Sequence, residues 1–367
     1  MAIKVIVNIP NEAPYDVRIG AGQLEGVGAK LRAVSAAPDA FVLTDSTVGS
    51  LYLEPVRASL KAAGFRTVAV TVPAGEESKS VACAAELWQA MADAKLGRDA
   101  LVVALGGGVV GDIAGFVAST YMRGVPFVQV PTTLLAMVDS SVGGKTGINL
   151  DAGKNLVGTF CQPLYVCAST DTLATLDERE WACGCGEVAK SAAVEGDDFF
   201  FWLMEHAERM AARDPEVVTE AIARCVTLKA DVVARDEHES AGVRECLNYG
   251  HTYGHAVEKL AGYGVYSHGH AVAEGMRFAA RLAAACGRGS EEFAQAQDEL
   301  LDALGLPALD FAADPTEVLA CMKGDKKVRG GKLRYVLVHD AGDWSVESPD
   351  DDTVLGQLEA WMASKRA

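Results

Sequence analysis

Positive charge is scarce in this chain of 367 residues: Lys and Arg number 33 against 50 Asp and Glu, a formal net charge of -17. A field of that sign repels phosphate backbones and anionic lipid, which argues against nucleic-acid or membrane-surface binding. An anionic substrate would therefore need locally concentrated cations. Long apolar runs are also missing. The longest, Ala100 to Thr120, is broken by glycines and carries Asp112, so it does not read as a bilayer span. The opening MAIKVIVNIP lacks the apolar segment of a signal peptide. Prolines number only 12 against 37 glycines, half the chain is hydrophobic and 23% is charged, a balance that excludes disorder and collagen-like repeats. The nine cysteines, an odd count, are expected to be reduced thiols of a cytoplasmic protein.

The length suits two domains better than one core. Alternation in IKVIVNI and YDVRIG, across a PNEAP turn, predicts an antiparallel pair at a sheet edge. A strand-helix rhythm follows: FVLTD, a helix near Leu51 to Ala63, TVAVTVPAG, a helix near Ser80 to Leu96, ALVVALGGG, a helix near Val110 to Tyr121, then FVQVP. Strands apolar throughout imply a parallel sheet covered on both faces, with its ligand outside the carboxyl ends of the strands. From about Glu178 the periodicity is helical, and the strand patterns LRYVLV and WSVES come only near the end. The expected fold is α/β: an N-terminal Rossmann-like parallel-sheet domain over 1–180, then a mainly α-helical C-terminal domain over 181–367. The crevice between the halves is the expected site.

Gly106, Gly108 and Gly111 form G-x-G-x-x-G after a strand and at a helix start, where backbone N-H groups can hold a pyrophosphate. Such turns also serve plain close packing, and FVQVPTT lacks the acid that usually ends the next strand. Asp45 ends an earlier strand and could accept from a ribose, while Gly75, Glu76 and Lys79 follow another. Three loops at successive strand ends would then share one dinucleotide. The stretch 138–155, VDSSVGGKTGINLDAGKN, reads as a long loop whose Asp139, Lys145, Lys154 and Asn155 suit polar oxygens and phosphates.

Four of the seven histidines, His251, His255, His268 and His270, fall within 20 residues. His251 and His255 share a helix face at i,i+4, and His268 opens the next helix. That spacing predicts a metal site completed by a carboxylate, with Glu187, Glu195 and Glu258 all open as candidates and Lys190 about one turn beyond Glu187. His206, His238 and His339 read as structural. Cys183 and Cys185 lack a second cysteine pair and read as small packing residues. Met204, Met210 and Met276 belong to apolar helix faces. Cations gather in this half as Lys229, Arg244, Lys326 and Lys327. Arg244, Asn248 and His251 are expected on one face of a continuous helical element, placing an anion-binding arginine beside the metal.

Together, GGGVVGDIAGF, YMRGV, VPTTLLAMVDSSVGGKTGIN, GKNLVGTF, GEVAK, LNYGHTYGHA, SHGHAVAEGM and DKK resemble the 3-dehydroquinate synthase family of sugar-phosphate cyclases, from about Asp45 to Gly342. The resemblance implies NAD held by Asp45, by Ala74, Gly75, Glu76, Glu77, Ser78 and Lys79, and by Gly108, Val109, Val110, Gly111 and Asp112. It adds Thr132, Thr133, Lys145 and Lys154, with the Thr172, Leu173, Ala174 and Thr175 turn. It implies a divalent metal, zinc or else cobalt, on Glu187, His251 and His268. Substrate and catalytic contacts implied are Asp139, Lys145, Asn155, Lys190, Lys229, Arg244, Asn248 and His255, with Lys326 or Lys327. Arg123 would reach the neighbouring subunit's site in a homodimer.

The implied activity is a lyase of the shikimate pathway of aromatic amino-acid biosynthesis. It converts 3-deoxy-D-arabino-heptulosonate 7-phosphate to 3-dehydroquinate and phosphate through transient NAD oxidation, phosphate elimination, re-reduction and aldol closure. Two features depart from the family pattern. His270 stands where HGE is usual, and CGCGEVAKSA replaces the usual context of Glu187 and Lys190. The rivals are a sister cyclase whose substrate lacks a carboxylate, a metal-dependent polyol dehydrogenase that would release NADH, and a non-catalytic NAD- or metal-binding protein that would have lost ligands. The retained Lys229 and Arg244 argue against the first, and the complete ligand set against the last.

Overall fold

In the computed structural model, which describes residues 2–10, 12–324 and 333–365, the alternating opening segments pair antiparallel as β1 (Ile3–Val7) and β2 (Tyr15–Gly20). The strand-helix rhythm continues as β3 (Asp39–Asp45), β4 (Arg66–Val72), β5 (Leu101–Gly106) and β6 (Phe127–Pro131), with helices α1 (Val27–Val34), α2 (Ser46–Ala62), α3 (Val81–Asp93) and α4 (Gly108–Thr120) between them. A hairpin of β7 (Lys145–Leu150) and β8 (Gly153–Phe160) precedes β9 (Tyr165–Ser169). The main sheet has the order β1-β2-β9-β6-β5-β3-β4, parallel at every pairing after the first.

Burial explains the continuous apolar runs. Along β3 and β5, successive side chains enter opposite cores. Phe41, Leu43, Val102 and Ala104 pack with Ile113 and Val117 of α4. Val42, Leu101, Val103 and Leu105 pack with Leu31 of α1 and Leu60 of α2. The strand order sets the carboxyl ends of β5, β3 and β4 side by side.

Residues 138–155 are not the long loop that their glycine content implies. A π-helical turn, Ala136–Ser140, leads into the β7-β8 hairpin. Gly143 (φ 97°) and Gly144 (φ 69°) turn the chain into β7 through the left-handed region that glycine tolerates. Glycine density hid the period-2 pattern. Residues Val218–His238, most of α8 (Pro215–Arg235), cluster with Met1–Leu176 in the first compact unit. There the buried Lys229 ammonium, 2.6 Å from both the carbonyl and Oδ1 of Asp139, ties α8 to the π-helical turn.

The second unit, Asp177–Val217 with Glu239–Ala367, is mainly helical. It contains α5 (Glu178–Glu195), α6 (Asp197–Glu205), α7 (Ala207–Ala211), α9 (His251–Ala261), α10 (His268–Ala285), α11 (Glu291–Ala303), α12 (Pro315–Lys323) and α13 (Asp351–Ser364). Its strands are β10 (Tyr335–Asp340) and β11 (Asp343–Glu347), an antiparallel pair. Asp177 and Ser267 cap α5 and α10 by accepting from the Glu180 and His270 N-H groups.

The expected continuous element through Arg244, Asn248 and His251 is broken. A 3-10 turn covers Val243–Asn248, and α9 starts only after Gly250, whose φ is 77°. A Cβ on Gly250 would stand 2.5 Å from the Val272 carbonyl oxygen, so contact with α10 demands glycine there. No helix among the described residues is long and apolar enough to cross a membrane.

Phe41 is fully buried in the β3 core. Phe41→Ala is expected to cost about 3–5 kcal/mol in denaturant unfolding, from lost burial plus the cavity left behind. A loss below about 1 kcal/mol contradicts that placement.

Candidate active site

Three helices of the second unit each supply one donor to a convergent group. Glu187 on α5, His251 at the start of α9 and His268 at the start of α10 place one ligand atom each within 4.8 Å of the others. Glu187 is 2% exposed, and its Oε1 has no hydrogen-bond partner. His251 Nε2 lies 3.6 Å and His268 Nε2 3.7 Å from that oxygen. Each ring is oriented from its other nitrogen. His251 Nδ1 is 3.0 Å from the Tyr249 carbonyl oxygen, and His268 Nδ1 is 3.2 Å from Glu258 Oε2. With each Nδ1 turned to its own acceptor, each Nε2 is left facing Glu187.

The Lys190 ammonium, one turn along α5 and equally buried, pairs with Glu187 Oε2. That pairing leaves Oε1 buried without a hydrogen-bond partner, a cost that a further cation at this oxygen would offset. Two imidazoles and a carboxylate are also a donor set of catalytic zinc centres that keep a position open, so these residues fit a divalent metal. Burial pulls the His268 pKa down, but the Glu258 and Glu187 carboxylates outweigh it and the net direction is up.

Backbone contact brings these donors together. A Cβ on Gly269 would stand 2.2 Å from the Cys183 carbonyl oxygen, and one on Gly186 2.7 Å from the Gly269 carbonyl oxygen. Gly269 N-H donates to Cys183 Sγ at 3.3 Å. The unusual CGCG stretch is therefore a packing surface, and burial pushes the Cys183 thiol up to about 12.

His255 follows His251 by one turn, with ring centroids 5.5 Å apart. His270 is absent from the convergent groups among the described residues. Its Nδ1 lies 2.7 Å from Ser267 Oγ, and it lines a separate cavity of about 330 Å³ with Arg179, Trp181 and Leu304. Burial, then Arg179, hold its pKa below the usual value. Arg244 is buried at 3% exposure, and Asn248 ends the same 3-10 turn. Lys326 and Lys327 lie outside the described residues.

The first unit builds its own cluster at the strand ends. After β5, Gly107 precedes α4 with no side-chain cap on the helix N-terminus, leaving backbone donors for an anion. A Cβ on Gly111 would meet the Gln129 side chain at 2.7 Å, so that glycine sets the approach of α4 to β6. Asp45 Oδ1 accepts from Thr47 and Val48 N-H, capping α2. After β4, Gly75 (φ 114°) leads into a 3-10 turn over Glu76–Ser78, where Ser78 Oγ donates to the Pro73 carbonyl. Thr132 is 3% exposed and its Oγ1 has no hydrogen-bond partner, while Thr133 Oγ1 accepts from Ala136 N-H. The Thr170–Thr175 turn follows β9, and Thr175 Oγ1 lies 2.7 Å from Tyr52 OH. An uncapped helix end, an orphaned hydroxyl and an acid at adjacent strand ends fit a dinucleotide.

Lys79 has a structural task that spacing did not show. Its buried ammonium donates to Asp112 Oδ2 at 2.7 Å and Asn155 Oδ1 at 2.6 Å, joining the turn, α4 and the hairpin. Burial raises the Asp112 pKa against the opposing pull of Lys79. Asn155 is held at φ 53°. Lys145 and Lys154 are exposed. Met122 (φ 48°) and Arg123 (φ 68°) form a tight exposed turn that sends Arg123 outward. Glu258, one of the three candidate carboxylates, instead accepts from His268, and its position seven residues past His251 on α9 is the only sequence signal of that contact.

A family model described as 3-dehydroquinate synthase N-terminal matches residues 69–183, and one described as 3-dehydroquinate synthase C-terminal matches 184–328. The 3-dehydroquinate synthase of Citrifermentans bemidjiense is 46% identical over 348 residues, 95% of each chain. That of Geobacter metallireducens is 49% identical over 335 residues, 90% of this chain and 92% of the other. Among solved structures, 2-epi-5-epi-valiolone synthase of Streptomyces hygroscopicus, with NAD+ and Zn2+ bound, has TM-score 0.87 at 28% identity and covers 98% of this chain and 99% of its own. A 2-deoxy-scyllo-inosose synthase complexed with carbaglucose-6-phosphate, NAD+ and Co2+ has TM-score 0.89 at 24% identity, covering 98% and 100%; that likeness concerns the fold. With both halves matched and nearly the whole length shared with such relatives, the chain belongs to the 3-dehydroquinate synthase family.

Proposed function

We propose that the chain converts 3-deoxy-D-arabino-heptulosonate 7-phosphate to 3-dehydroquinate and inorganic phosphate. It acts as a cytoplasmic carbon-oxygen lyase and homodimer, with NAD and one divalent metal, zinc first and cobalt second. The observation that carries this is the convergence of Glu187, His251 and His268 around an orphaned buried carboxylate oxygen in a chain of this family. Nearly complete alignment with 3-dehydroquinate synthases at 46–49% identity supports this substrate over those of the sister cyclases, matched at 24–28%.

Glu187, His251 and His268 would hold the metal, which would supply Lewis-acid activation of a substrate hydroxyl. The loops at the β3, β4 and β5 strand ends would hold NAD, which would supply transient hydride acceptance and return without net consumption. The uncapped start of α4 at Gly108 to Asp112 would take the pyrophosphate and Asp45 the ribose hydroxyls, one Asp45 oxygen being already used to cap α2. Ala74, Glu76, Glu77, Thr132, Thr133, Lys145, Lys154 and the Thr172–Thr175 turn complete that pocket.

The chain's own residues handle the substrate's two anionic groups. Arg244 and Lys229, both buried, bind the carboxylate, where desolvation strengthens charge-assisted hydrogen bonds. Asp139 holds Lys229 in place. Lys190, Lys145, Asn155, Asn248 and the Lys326 or Lys327 cation bind hydroxyls and phosphate, with Arg123 from the partner subunit. His255 holds and moves the proton at the phosphate end, where loss of a C-H proton and breakage of the adjacent C-O bond release phosphate.

Phosphate release from this substrate, with catalytic NAD and zinc, tests the function. Release that stops on chelation, returns with zinc and gives no net NADH is expected. Turnover of a polyol with accumulating NADH, or of a sugar phosphate lacking the carboxylate, contradicts it. Arg244→Ala is expected to weaken apparent substrate affinity about tenfold to hundredfold, with metal content intact. Unchanged steady-state kinetics would remove Arg244 from the carboxylate site.

A further inference from the structure

A second convergent group adjoins the first on the same helices. His255, Glu258 and His268 each place one donor atom within 4.8 Å of the others. His255 and Glu258 stand at i,i+3 on α9, and His268 opens α10. The rings of His255 and His268 have centroids 5.9 Å apart, and the Glu258 side chain is 12% exposed. His268 belongs to both groups: its Nε2 lies 3.7 Å from Glu187 Oε1, and its Nδ1 lies 3.2 Å from Glu258 Oε2.

We infer that His255, Glu258 and His268 form a second divalent-cation subsite, which takes zinc or cobalt once the metal exceeds one equivalent per chain. This rests on assigning the first group to the resident metal. The second donor set repeats the first, two imidazoles and a carboxylate, and so has the same preference among divalent ions. It binds more weakly for two reasons. The ion must displace the proton that His268 Nδ1 donates to Glu258, which leaves to solvent, and a neighbouring cation on the same ring repels it.

Occupancy has a functional consequence. It removes Glu258 from its place as acceptor for His268 and ties up the nitrogen of His255. Excess metal therefore inhibits the enzyme that one equivalent activates.

The test is titration of the metal-free protein with Co2+, followed by visible absorbance and equilibrium dialysis. Wild type is expected to bind two ions in resolved steps. Phosphate release should rise across the first step and fall about tenfold or more across the second, the scale of losing an outer partner of a metal ligand. Glu258→Gln keeps an oxygen to accept from His268 Nδ1 but loses the anionic ligand, so it should retain the first step and lose the second. Circular dichroism confirms that the variant folds. Saturation of wild type at one equivalent, or a second step surviving in Glu258→Gln, overturns the subsite. His251→Ala separates the two assignments: loss of the tight step alone supports both, whereas a retained tight step overturns the first group instead.

Discussion

Backbone contact among α5, α9 and α10 is the constraint on which the convergence of Glu187, His251 and His268 depends. The Gly269 backbone lies against the Cys183 carbonyl, and that of Gly275 lies so close to Gly250 that a Cβ there would stand 1.8 Å from its carbonyl oxygen. These approaches are closer than helices reach when side chains separate them, about 8–10 Å between axes, and they fix the positions of the elements that carry Glu187, His251 and His268. The glycines spend helix propensity to gain that approach. Asp177 and Ser267 caps then fix where α5 and α10 begin, while the Tyr249 carbonyl and Glu258 fix the ring orientations.

The first unit solves a different problem in an acidic protein. Few cations are available, and two of them, Lys229 and Lys79, are buried and held in place by Asp139 and Asp112. Paired this way, each lysine fixes an element as well as supplying charge. Lys79 joins the turn after β4 to α4 and to the hairpin residue Asn155, which makes one connected rim from segments far apart in sequence.

The parallel strands were legible because burial on both faces writes unbroken apolar runs, and β1 and β2 because one-sided burial writes alternation. The histidine pair and Glu187 were legible through spacing together with the family motifs. The β7-β8 hairpin was not, since glycines occupied the positions whose alternation marks a strand. Nor was the break at Gly250, because a left-handed residue between two helical segments leaves their apolar period nearly intact. The Lys79 and Lys229 contacts bridge 76 and 90 residues, a separation that no local pattern encodes.

Zinc affinity of Gly269→Ala tests the central claim most directly, because the substitution touches neither a donor atom nor a ligand's partner. The added Cβ would overlap the Cys183 carbonyl oxygen at 2.2 Å, so α10 must move away from α5 and carry His268 from Glu187. With circular dichroism showing retained helix, affinity is predicted to fall by about tenfold or more. Wild-type affinity in the folded variant would contradict the claim that this backbone contact sets the proposed metal site.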